Sequence, residues 1–320
     1  MNELRRNILV SSQIGRGFDI DNYLTIVALE DGLTAALSGN TVEYCVDGDE
    51  NWKSLVSNTN SESINKGQTL SFRGNLTPTS SGSSKGVGRF TISKSCDLTG
   101  NCNSLLFGDD SKTNNSLSGK NYAFYRLFYN CTTIKNVSSN FLPATTLSDY
   151  CYSYMFYGCT SLTTAPELPV TILKDYCYSY MFQNCTSLTT APQLPATTLA
   201  NHCYRQMFYG CTSLTTASEL PATTLASQCY GSMFRGCSKL TTAPELPATT
   251  LADWCYYSMF YGCSKLNYIK MLATDISAST CLNFWVSGVA STGTFVKSKN
   301  ATWSVTGTSG IPSGWTVQTA

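Results

Sequence analysis

A 26-residue repeat constrains this chain more than any other feature. The block LPATTLSDYCYSYMFYGCTSLTTAPE (142–167) recurs so that one cysteine falls at Cys151, Cys177, Cys203, Cys229, Cys255 and, in a degraded copy, Cys281. A second falls at Cys159, Cys185, Cys211, Cys237 and Cys263. A leading copy, NYAFYRLFYNCTTI (121–134), sets Cys131 ahead of Cys159 by slightly more than one period, so it carries a short insertion. One such unit cannot bury its own apolar face, whereas stacked neighbours bury a continuous core, which is a solenoid.

Each unit divides into two halves. LTTAPELP carries two prolines and reads as extended chain and turn. DYCYSYMFYGC (149–159) reads as a short helix, ended by Gly158, Gly210, Gly236 and Gly262, with Asn184 in one copy. Within it the residues at 151, 152, 155, 156 and 159 return unchanged as Cys, Tyr, Met, Phe and Cys. Offsets of one and four make one helical face, so these residues are the expected core, with Leu147 and Leu162 beside them. The interleaved positions 149, 150, 153, 154 and 157 vary between copies and are expected to face outward.

That outward set supplies the candidate ligand-binding residues: Tyr150, Tyr154, Tyr157, Tyr176, Tyr180, His202, Arg205, Tyr209, Arg235, Trp254, Tyr257 and Tyr261. Rigid aromatic area beside adaptable hydrogen-bonding groups suits recognition of sugar or protein. Neutral drift of surface positions leaves the same pattern, so both readings stand. The threonine rows, such as Thr163/Thr164 and Thr189/Thr190, read as ladders between coils.

Composition removes several functions. Only 13% of residues are charged, against about a quarter in an average soluble domain, so Thr, Ser, Asn and Tyr must cover the surface. A formal charge of +1 gives no electrostatic case for nucleic acid or an anionic membrane as partner. No apolar run approaches the ~20 residues of a spanning helix. The single histidine, His202, limits acid–base catalysis near neutral pH. A depolymerase would need two carboxylates across a groove, and Asp149, Asp175 and Asp253 lie on different copies. The chain is therefore expected not to be an enzyme.

The 15 cysteines are an odd number. Eight residues along a helix rise ~12 Å, beyond the ~7 Å reach of a disulfide, so the repeat cysteines are expected to be reduced and buried. Cys96 and Cys102 are the best-placed pair, with Cys45 as a competitor. No close cysteine pair of zinc-site spacing exists, and neither metal nor cofactor is expected.

The flanks differ from the repeats. Residues 18–98 hold short alternating segments broken by Gly, Asn, Ser and Asp, which read as a small antiparallel β-sandwich, with Asp47-Gly48 as a turn. Residues 99–120 form a junction, where Asp109 and Asp110 read as a turn or helix cap. The repeats occupy 121–281, and 282–320, with GTFVKS, ATWSV and GWTVQTA as strands, reads as a small β cap on the stack. Residues 1–17 read as an N-terminal docking arm. Within MNELRRNILVSSQIGRGFDI the apolar stretch is only Ile8, Leu9 and Val10, short of the ~7–15 residues of a secretory leader. A chain made and kept in the cytoplasm, or released without ordinary export, is the expectation.

The copies LPATTLSDYCYSYMFYGCTSL (142–162) and LPATTLADWCYYSMFYGCSKL (246–266) resemble the BspA-type leucine-rich repeats of bacterial surface proteins. The unit is longer than that family's usual one, and Cys-Tyr stands where Ala-Phe is common. The flanking stretches VALEDGLT, SLLFGDD and GIPSGWTV are similar to those on such proteins in gut Bacteroidales and in their phages. The resemblance implies an α/β leucine-rich-repeat solenoid used for adhesion or ligand binding, with no catalytic residues to carry over. Combined with the leader reading, it gives a virion-surface component, a phage fibre, spike or head decoration. Its N-terminal region would meet other virion proteins, its repeats host-surface glycan or protein, and it would form a homo-oligomer. An exported bacterial surface adhesin whose leader has been removed, and a purely structural virion protein, are the alternatives.

Overall fold

The computed structural model describes residues 18–80 and 85–320; the docking arm expected over 1–17 lies outside them. Seven short strands open the described chain: β1 (Leu24–Ala28), β2 (Ala35–Ser38), β3 (Val42–Val46), β4 (Lys53–Leu55), β5 (Thr69–Arg73), β6 (Arg89–Ile92) and β7 (Cys96–Gly100). An eighth, β8 (Ile134–Val137), lies inside the first repeat. The larger sheet runs β4-β3-β5-β1-β7-β8, and β2 pairs with β6 in a separate two-stranded sheet. In β1, Ile26 stands opposite Leu70 on one side and Leu98 on the other, both antiparallel. β7 and β8 run parallel. Asp47 and Gly48 both take positive φ, 49° and 63°, and Asp49 N donates to Val46 O at 3.0 Å, a type I′ turn.

Because β8 belongs to both sheet and repeats, the core passes from one into the other. Phe72 packs on Phe90 at 5.0 Å, Phe90 stacks on Phe128 at 5.6 Å, and Phe128 stacks on Phe156 at 5.5 Å. The junction carries the only α-helix among the described residues, α1 (Ser104–Phe107). Asp109 and Asp110 fall in the 3-10 turn that follows (Gly108–Lys112), and Asp109 holds the Arg73 guanidinium at 3.0 Å and accepts from Tyr23 Oη at 2.8 Å.

The expected short helix of each repeat is corrected by the structure: residues 121–281 contain no α-helix. From Ser148 to Cys159 the chain is a run of overlapping β-turns. Ser153 N donates to Tyr150 O, Met155 N to Tyr152 O and Tyr157 N to Tyr154 O, at 3.1–3.2 Å. The residues between send their N–H groups across to the next copy, Tyr152 to Cys177 O, Tyr154 to Ser179 O and Phe156 to Met181 O, each at 3.0 Å. Every fourth residue is left-handed, with φ of 58° at Tyr150, 59° at Tyr154 and 70° at Gly158. An α-helix would bond its N–H groups internally and leave the copies joined by side chains alone. Here half of them tie the copies together as a parallel sheet would. A period of four drifts from a 3.6-residue helix by only about 40° per turn, so two turns of sequence do not separate the two. The glycines are therefore third left-handed positions and not helix ends. At Gly210 a Cβ would also collide with Asn184 Oδ1 of the preceding copy.

The predicted inward set is buried throughout. Tyr152, Tyr178, Tyr204, Tyr230 and Tyr256 form one column with centroids 5.8–6.1 Å apart. Phe156, Phe182, Phe208, Phe234 and Phe260 form another at 5.7–5.8 Å. The second cysteine of each copy donates its thiol to the carbonyl of a phenylalanine in the preceding copy, Cys159 to Phe128 O, Cys185 to Phe156 O and Cys211 to Phe182 O, at 3.1–3.2 Å. All fifteen thiols are free and buried. The Cys96–Cys102 pair does not form, nor does one with Cys45. Extended chain from Cys96 to Gly100 already spans ~13 Å, beyond the ~7 Å reach of a disulfide.

At the far end β9 (Tyr268–Met271), β10 (Thr294–Lys297) and β11 (Thr316–Thr319) form a parallel three-stranded sheet in the order β11-β10-β9. ATWSV carries no strand. Trp285 lies against Tyr256 and Phe260 at the end of both columns, and its indole N–H donates to Gly310 O at 2.8 Å. The threonine rows are exposed, and parallel bridges such as Thr190 to Thr216 join neighbouring copies there. No helix is long and apolar enough to cross a membrane among the described residues.

Candidate functional site

The turn run dictates what its outer side can display. Left-handed positions 150 and 154 point away from the core, and equivalent residues of successive copies sit one strand spacing apart, about 4.8 Å. Flat rings on that spacing stack. Tyr122, Tyr150, Tyr176 and His202 form one outer column, with centroids 4.6, 4.4 and 4.2 Å apart and planes within 10°. Tyr154 and Tyr180 form a second at 4.3 Å, and Tyr129 and Tyr157 a third at 4.7 Å.

Cations complete the rows. The Arg126 guanidinium lies 5.0–5.1 Å from the rings of Tyr125, Tyr129 and Tyr154. Arg205 lies over Tyr180 at 5.8 Å. Arg235 is held between Tyr209 at 5.6 Å and Tyr261 at 4.3 Å. Trp254 packs on Tyr257 at 5.1 Å. Trp254 and Tyr261 are the most open of the twelve candidates, 36% and 38% exposed, and the other ten are half-buried. Aromatic faces are thus largely covered by one another, and ring edges and hydroxyls are what the columns present.

The serines at positions 153 and 154 depart from the outward assignment, whereas Arg205 and Tyr257, also at position 153, are half-buried. Ser153, Ser179 and, one place on, Ser232 and Ser258 are buried. Ser153 Oγ donates to Ser179 O at 3.2 Å, and Ser179 Oγ donates to His202 O. The small hydroxyl folds back onto the backbone of the next copy. Four residues of the leading copy were not among the candidates, Tyr122, Tyr125, Arg126 and Tyr129. The signal for three of them is in the sequence. Tyr122, Arg126 and Tyr129 precede Tyr150, Tyr154 and Tyr157 by the same offset that separates Cys131 from Cys159.

Burial, and then Arg205, hold the His202 imidazole below its ordinary pKa, against the opposing pull of Asp175. Its Nδ1 is buried without a partner. Burial and the neighbouring Tyr176 push the Tyr150 phenol up to about 12, and burial with Tyr180 raises Tyr154. These side chains are neutral near pH 7, so the columns present shape, hydrogen-bonding groups and ring edges, with charge only at the flanking arginines. No group of three or more metal-ligating side chains occurs among the described residues.

Compared with known families, residues 120–241 and 178–284 match the BspA type leucine rich repeat region, in six copies. No curated protein and no solved structure gives a match.

Proposed function

Because the chain belongs to the BspA-type leucine-rich-repeat family, we propose that it is a non-enzymatic adhesion and recognition protein whose repeats bind a surface glycan or protein. The observation that carries this reading is the ordered outer ladder, Tyr122–Tyr150–Tyr176–His202 beside Tyr154–Tyr180. Nothing in the packing of the core requires aromatic rings there, since Gln228 and Ser232 occupy the same positions one or two copies on. Stacked phenols are rigid and lose little entropy when a ligand docks against their edges.

In its finer form, the proposal is a phage virion component, a fibre, spike or head decoration, attached through its N-terminal region and assembled as a homo-oligomer. It rests on a resemblance: the VALEDGLT, SLLFGDD and GIPSGWTV stretches are similar to those on BspA-type proteins of gut Bacteroidales, whose like is also encoded by phages of those bacteria. The test is immunogold electron microscopy of the source culture with antibody against the repeats. Gold on particles is the expected result. Gold confined to cell envelopes overturns the virion reading and leaves a bacterial surface adhesin. A loss of host-cell binding in Tyr154→Ala/Tyr180→Ala tests the repeats themselves.

A further inference from the structure

A cleft lies where the two-stranded sheet meets the first repeat. It encloses about 400 Å³ and is lined by Ser38, Asn58, Lys85, Arg89, Tyr125 and Arg126, with Gly39 and Gly88. Three of its six side chains are cationic, and no carboxylate is among them. Among the described residues the ion pairs belong to Lys53, Arg73, Lys112 and Lys270, so Lys85, Arg89 and Arg126 have no acidic partner there. In a chain with a formal charge of only +1, three such cations around one cavity form a local field that an anion would relieve.

The rest of the lining narrows the ligand. Lys85 Nζ lies over the Tyr122 ring at 4.7 Å, and Arg126 lies among three tyrosines, so aromatic contacts fix two of the cations. Arg89 is exposed and has no ring over it, which leaves its planar fork for a carboxylate. Tyr125 supplies a half-buried aromatic wall. Asn58 and Ser38 supply amide and hydroxyl groups. A cavity of this size takes one or two sugar rings. We infer that the cleft lined by Lys85, Arg89, Arg126 and Tyr125 binds a carboxylated sugar, the acid on the cations and the ring against the tyrosine. The inference rests on the proposal that the chain recognises surface glycans, and it adds a site at the sheet–repeat junction, whose Tyr125 and Arg126 adjoin the near end of the outer columns at Tyr154.

The test is binding of the full chain to polygalacturonate, with its methyl ester, dextran sulfate and inorganic phosphate as the other arms. Polygalacturonate should bind, and the ester, which keeps the sugar and removes the charge, should bind at least tenfold more weakly. Arg89→Glu should lose tenfold or more of that binding, and Lys85→Ala less. Lys299→Glu, the same charge change in an exposed residue after β10, should lose none. Equal binding of acid and ester, or no effect of Arg89→Glu, overturns the site. Binding of dextran sulfate or phosphate without polygalacturonate overturns the sugar. In each of those cases retained host-cell binding, sensitive to Tyr176→Ala/Tyr180→Ala, which touch none of the cleft residues, leaves the broader recognition reading intact.

Discussion

The inner and outer sides of one turn run make an instructive pair. They share a backbone, its left-handed residues and its bonds to the neighbouring copy. The inner column is Tyr152, Tyr178, Tyr204, Tyr230 and Tyr256 without exception; the outer one reads Tyr150, Tyr176, His202, Gln228 and Trp254. Inner rings are buried and stand 5.8–6.1 Å apart, whereas the outer stack closes to 4.2–4.6 Å and ends at His202. Backbone bonds and inner rings therefore fix how the copies sit on one another. The outer side inherits the backbone register and is free to change its chemistry from copy to copy, as the proposed recognition role requires.

The largest expected effect separates the buried thiols from everything outside. Burial pushes Cys151, Cys203, Cys211, Cys255 and Cys263 from an ordinary 9.0 up to about 12. The unfolded chain releases these protons above pH 9 and the folded chain holds them until about 12. Their contribution is whole below pH 9 and is lost as the pH rises toward 12. Each costs up to about 1.4 kcal/mol per pH unit in that window. Cooperative alkaline unfolding between pH 9 and 12, followed by circular dichroism with thiol labelling, is the expected outcome. Reaction of the repeat cysteines with a thiol reagent in the folded protein at pH 8 would contradict the burial.

Within the core, Phe208→Ala should cost ~3–5 kcal/mol in urea unfolding and loosen the copies on either side. Tyr209→Ala, one residue on and outward, should cost close to nothing; equal costs would break the inside–outside comparison. Gly210→Ala should fall between them. A left-handed alanine costs ~1–2 kcal/mol, and its methyl meets Asn184 Oδ1, so Asn184→Gly should recover the steric part alone. A smaller effect sharpens the outer side itself. Tyr154→Ala should cost ~0.5–1.5 kcal/mol, the worth of a stacked pair, because its ring lies on Tyr180. A value as low as that for Tyr209→Ala would mean that the outer column carries no stability.

The repeat by itself determined that copies stack and that Cys, Tyr, Met, Phe and Cys face the core, because within the segment 149–159 and its copies those positions return unchanged while their neighbours vary. It also placed the candidate tyrosines outside. Only the tertiary structure decided that the segment is a run of turns and not a helix. Periods of 3.6 and 4 coincide over so short a stretch, and the choice falls to N–H groups that find their acceptors in the next copy. The burial of Ser153 and the stacking of Tyr150 on Tyr176 follow from that same cross-linking. The cationic cleft was out of reach of the sequence for a related reason: Ser38, Arg89 and Arg126 are brought together by the pairing of β2 with β6 and by a core shared with the first repeat. A periodic sequence reports which residues are equivalent, and the partners that each one meets are set by chain far away along it.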